Sequence, residues 1–144
     1  MSKYSIPTWS PLAAAVALAV SGAYSSMALA ADVNVTLAGD QEVPAVTTAA
    51  KGSGTVTVGD DMSVKGSVTT SGINGTAAHI HMAAAGKNGP VIVPMVKSGD
   101  NGWTFPPDAK MNADQMKAFK AGETYVNVHS AANPGGEIRG QLKP

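Results

Sequence analysis

GSGTVTVGDDMSVKGSVTT, residues 52–70, alternates apolar and polar side chains on either side of a Gly59-Asp60-Asp61 turn. Val56 and Val58 share one face of the first run, and Met62, Val64, Gly66 and Val68 share one face of the second. Period-2 alternation interrupted by a short Gly-Asp turn is the signature of a β-hairpin with one face in a core.

The same alternation extends outward in both directions. DVNVTLAG, residues 32–39, puts Val33, Val35 and Leu37 on a common side, and TAAHIHMA, residues 76–83, follows the Gly-rich SGING. VIVPMV, residues 91–96, carries Pro94, which lacks a ladder donor and so predicts an edge strand or a bulge. GWTF (102–105) is a further short strand, and ETYVNVHS (123–130) and GEIRGQL (136–142) close the chain around the turn residues AANPGG.

One segment has a different period. NADQMKAFKAG, residues 112–122, offers Asn112 as N-cap, Gln115 as its capping-box partner, a core stripe of Met116 and Phe119, and Gly122 as terminator. Many short strands with a single helix in a connection predict an all-β, antiparallel Greek-key sandwich or flattened barrel.

Residues 1–30 read as a secretory signal peptide. Lys3 supplies a positive start, PLAAAVALAV (11–20) a short apolar run, and Ala28-Leu29-Ala30 a small-x-small cleavage site. That run is about half of the roughly 20 residues a membrane-spanning helix needs, so no membrane span is expected. The protein should be periplasmic or secreted, with residues 31–144 as its single domain.

Composition narrows the function further. The chain has no cysteine, so disulfides, thiol nucleophiles and thiolate metal ligands are excluded. Ten Lys plus Arg balance ten Asp plus Glu, which gives no basic field for nucleic acid. Gly-x-Ser-x-Gly and Gly-x-x-x-x-Gly-Lys motifs are absent as well.

The chemistry-bearing candidates are the three histidines. His79 and His81 stand two apart on one strand and point the same way, opposite Ala78, Ile80 and Met82. His129 shares strand parity with Tyr125 and Asn127, opposite Thr124, Val126 and Val128. Three neutral imidazoles with an open position suit copper, zinc, nickel or iron in a reactive rather than a structural site. Arg139, the only arginine, projects with Glu137 and Gln141 on the polar side of its strand, where it could attract a small anion or pair with a carboxylate.

TAAHIHMAAAGKNGPVIVPM (76–95) together with YVNVHSAANPGGEIRGQL (125–142) resembles the CHRD family, the domain named after chordin and found also in exported bacterial proteins. The resemblance covers essentially all of residues 31–144. A more distant similarity is to the copper and zinc superoxide dismutases, in which a His-x-His strand and a later Val-His strand supply copper ligands and an arginine guides superoxide. It implies His79, His81 and His129 as ligands of one copper ion and Arg139 as a catalytic residue facing the anion. The chain departs from that pattern in having no fourth histidine for a bridging position and no His and Asp cluster, so no zinc site is expected. The alternative from another class is an extracytoplasmic protein-binding or structural module that uses no metal and engages an unknown protein partner.

Overall fold

The computed structural model describes residues 31–144, and the export signal read at residues 1–30 lies outside the described residues. Nine strands, β1 (Ala31–Ala38), β2 (Lys51–Val58), β3 (Val64–Ser71), β4 (Gly75–Met82), β5 (Val91–Pro94), β6 (Val96–Ser98), β7 (Gly102–Thr104), β8 (Thr124–Ser130) and β9 (Ile138–Leu142), form one sheet with the helix α1 (Ala113–Lys120) between β7 and β8. The order across the sheet is β5-β4-β8-β9-β1-β2-β3-β7-β6, and every pairing is antiparallel. The sheet curls into a nearly closed barrel, as the all-β reading expects.

Its inner face is the apolar half of each alternating strand. Val33, Val35 and Leu37 of β1, Val56 and Val58 of β2, and Val126 and Val128 of β8 are all buried, with Ile80, Ile138 and Leu142 completely enclosed. Trp103, Phe105, Met111 and Phe119 belong to the same core. The helix is set by its cap: the Asn112 side chain accepts from Gln115 N while the Gln115 side chain accepts from Asn112 N, satisfying two otherwise orphan donors. Gly122 ends it at φ +74°, in the left-handed region where glycine carries no Cβ penalty.

Three details differ from the sequence reading. Met62 is not on the strand face with Val64 and Val68; it sits in the hairpin turn at φ 66° and β3 starts at Val64. The turn needs a left-handed residue there, and Met62 N donates to Gly59 O at 2.9 Å to close it. The VIVPMV run is two strands, with Pro94 ending β5 and Val96 opening β6, and these occupy opposite ends of the sheet. Pro94 thus lies on an edge strand, and the β4–β5 register shifts between Ile80 and His81.

The third difference concerns the outward side of β8 and β9. Tyr125, Asn127 and Arg139 are buried there, although strand parity turns them away from the barrel interior. The segments after β1, between β4 and β5, and between β8 and β9 fold over this part of the sheet and enclose its polar face.

Candidate metal centre

β4 and β8 are neighbours, with Ala77 opposite His129, His79 opposite Asn127 and His81 opposite Tyr125. His129 is therefore the diagonal neighbour of His79, a separation that long side chains span across an antiparallel pair. His79 Nδ1 lies 3.1 Å from His129 Nε2. Ring centroids are 5.6 Å apart for His79 and His81, 5.0 Å for His79 and His129, and 5.8 Å for His81 and His129. One nitrogen from each ring can be chosen so that all three lie within 4.8 Å of one another. An ion with bonds of about 2.0–2.1 Å needs nitrogens roughly 3–4 Å apart, a range that the His79 Nδ1 and His129 Nε2 pair already meets.

The outer hydrogen bonds fix which nitrogen each ring presents. His81 Nδ1 lies 2.9 Å from Gly89 O, and His129 Nδ1 lies 2.9 Å from Pro134 O. A carbonyl oxygen can only accept, so both Nδ1 atoms carry the proton and both Nε2 atoms carry the lone pair. His81 Nε2 is buried and has no partner among the described residues. A buried acceptor left without a donor is costly, and a metal ion would satisfy it. By the same reasoning His79 Nδ1 donates to His129 Nε2, so an ion held by His81 Nε2 and His129 Nε2 would take its third nitrogen from His79 once that bond is given up, with backbone carbonyls holding the other two rings from behind.

Burial favours the neutral form of His79 and His81. Burial lowers the His79 pKa, with His129 and His81 adding to the effect, and burial lowers that of His81, helped by His129 and Arg139 against the Gly89 hydrogen bond. Neutral imidazole is the form a metal requires. His81 is 8% exposed, whereas His79 and His129 are half-buried, so the cluster is open on their side.

Behind His81 stands a column of stacked groups. The Tyr125 ring lies parallel to His81, 6° between planes and 4.9 Å between centroids, and Arg139 Cζ sits 3.4 Å from the Tyr125 centroid. Because β8 lies between β4 and β9, His81 and Arg139 cover opposite faces of the tyrosine. Arg139 is 1% exposed and donates to Asn88 Oδ1 at 3.3 Å, Ala84 O at 3.3 Å and Gln141 Oε1 at 3.2 Å. Its guanidinium is thus enclosed by the β4–β5 segment and is held neither in an opening nor against Glu137. The Glu137 carboxylate instead accepts from Thr48 Oγ1 at 2.7 Å and from Ser130 Oγ, bonds that hold its pKa below the usual range.

Several residues of this region carry no sequence signal. Gly89 N donates to Tyr125 Oη at 3.2 Å, and Gln141 Nε2 donates to Ala83 O and Gly122 O at 2.9 Å each, so the β4–β5 segment is tied down at both ends. Glu42, from the segment after β1, accepts from Asn127 Nδ2 and lines a cavity of about 280 Å³ with Asn88, Asn133 and Gly136. Burial pushes its pKa up to about 7, against the opposing pull of Arg139 and the Asn127 hydrogen bond. Only strand parity pointed to Tyr125 and Gln141, and nothing local pointed to Glu42 or Asn88.

The fold and cluster together define an all-β domain with a potential three-histidine metal centre on the outer face of its sheet. The model of the CHRD domain matches residues 33–142, and the chain belongs to that family. No curated protein and no solved structure matches it. Among the described residues, no helix is long and apolar enough to cross a membrane.

Proposed function

We propose that this chain is an exported, periplasmic or secreted CHRD-domain protein that binds one copper ion through His79, His81 and His129. The observation that carries the reading is the unpartnered, buried His81 Nε2 within a cluster whose three nitrogens already lie within 4.8 Å. Three neutral nitrogen donors suit copper, which also stands highest in the affinity order of divalent first-row metals. No separate zinc site is proposed.

Bound there, copper supplies one-electron redox chemistry at an open coordination position. The chain's own residues orient the donors: Gly89 O and Pro134 O fix two tautomers, and Tyr125 holds the His81 ring plane. The half-exposed His79 and His129 side admits a small anion, for which superoxide is the one to assay, while Arg139 acts from behind Tyr125.

The test is a copper titration of the metal-free protein beside its His79→Ala, His81→Ala double variant. One-to-one binding weakened at least about 100-fold in the variant supports the reading. Equal binding in both would instead leave a protein-binding or structural module. Dismutation no faster than that of the copper-treated variant would remove the redox extension while keeping the metal site.

A further inference from the structure

We propose that this centre selects monovalent copper over divalent ions, and that Arg139, acting through Tyr125, is the residue that sets the preference. The inference rests on the three-histidine reading above and adds to it the charge of the ion.

The donor set is neutral throughout. Among the described residues the cluster consists of His79, His81 and His129, with no carboxylate in it. A divalent ion placed among neutral, partly buried donors keeps its full double charge uncompensated, whereas a monovalent ion keeps half as much. Three donors also suit the low coordination numbers of monovalent copper, while divalent copper favours tetragonal sets of four or more.

The fixed charge stacked into the site is positive. The guanidinium of Arg139 sits over one face of Tyr125 and His81 lies against the other. Arg139 is 1% exposed, so water screens its field poorly. None of its side-chain hydrogen bonds goes to a carboxylate. Of the nearby acids, Glu137 is hydrogen-bonded to Thr48 and Ser130; Glu42, hydrogen-bonded to Asn127, does feel the Arg139 charge, but burial favours its neutral form, so it offsets that charge only in part. At an effective dielectric constant near 20, a cation across two stacked rings changes affinity by about tenfold for each added unit of ionic charge.

The experiment measures three affinities of the purified protein. Cu(I) is held reduced with ascorbate under anaerobic conditions and measured against a bicinchoninate chelator; Cu(II) and Zn(II) are measured against chelators of known affinity. Cu(I) is expected to bind at least about tenfold more tightly than either divalent ion. Arg139→Gln should lower that ratio by about tenfold and Arg139→Lys, which keeps the charge, should preserve it. A merely structural role would weaken all three ions alike and leave the ratio unmoved.

Wild-type protein that binds Cu(II) or Zn(II) as tightly as Cu(I) overturns the proposal, and this outcome stands even where Arg139→Gln does not fold. An unchanged ratio in Arg139→Gln, or a ratio lost equally in Arg139→Lys, overturns it as well. The metal reading has its own control: if His81→Ala binds all three ions as the wild type does, the site itself is wrong and the selectivity falls with it.

Discussion

Two outward faces of one sheet have opposite fates. On β1, β2 and β3 the outward residues form ladders such as Thr36, Ser53 and Thr69, or Asn34, Thr55 and Ser67, and they lie open or nearly so to solvent. On β4, β8 and β9 the outward residues include His79, His129 and Gln141, which are partly covered, and His81, Tyr125, Asn127 and Arg139, which are buried beneath connecting segments. Strand alternation is the same in both places. Only a roof distinguishes them, and the roof removes the water that would otherwise satisfy every donor and acceptor. On the bare side Thr55 Oγ1 bonds Asn34 Oδ1 at 2.9 Å and Thr57 Oγ1 bonds Asp32 Oδ1 at 2.7 Å, with solvent available to replace either bond. Beneath the roof each unmet bond becomes a cost, and His81 Nε2 and Asn127 Oδ1 each retain one.

If that contrast is correct, the largest effect should come from disturbing the packing of the covered face. Gly136 has φ +128°, and a Cβ there would stand 2.2 Å from Asn127 Nδ2 and 2.6 Å from Glu42 Oε1. Gly136→Ala is expected to cost about 3 kcal/mol in urea unfolding, combining a strained backbone with displaced buried polar groups. A cost below about 1 kcal/mol would show that the roof yields readily and that the two faces differ less than the burial suggests.

Next in size is a pH effect beneath the same roof. Between pH 4.5 and about 7 the folded protein keeps on Glu42 a proton that the unfolded chain has released. Stability contributed at this position therefore falls as pH rises through that window and stays lower above it. Relative to Glu42→Gln, the wild type should lose about 2 kcal/mol between pH 5 and pH 8, an amount already reduced for solvent screening. Parallel stability curves for the two proteins would place Glu42 in effective contact with water.

The smallest effect belongs to the bare face. Thr55→Ala removes the bond to Asn34 and some strand preference, for an expected loss of about 0.5 kcal/mol by the same unfolding measurement. A loss comparable to that of Gly136→Ala would erase the distinction between the faces.

The parts of this structure that were legible in the sequence are those governed by near neighbours. Alternation announced the β2–β3 hairpin, because side-chain parity is intrinsic to an extended backbone. The Asn112 and Gln115 cap was readable for the same reason, since both partners lie within one turn of α1. The centre was half legible. Parity put His79 and His81 on one side and His129 on the polar side of another strand, but the adjacency of β4 and β8, with Ala77 opposite His129, depends on pairing between residues some fifty positions apart. The enclosure of Arg139 depends on Ala84 and Asn88, two residues in a loop without periodicity, so a surface or pore-lining position was the natural expectation. Glu42 reaches Asn127 over a separation of 85 residues and left no local trace.

The single-residue step at Met95 has a consequence for how copies of this protein behave in a crowd. The chain leaves β5 at one end of the sheet and enters β6 at the other, while Met95 N donates to Ala78 O at 2.9 Å. Both unpaired rims therefore lie along one slit, and the chain itself threads that slit. A growing polymer of sheets requires a free rim at which each newcomer can add and a second that it leaves exposed for its successor. Here the two rims face one another, β5 ends at Pro94, and β6 is only three residues long. Val91 and Val96, 49% and 47% exposed, mark the short stretch where adhesion could begin, but a strand added there would block the place where the next must go.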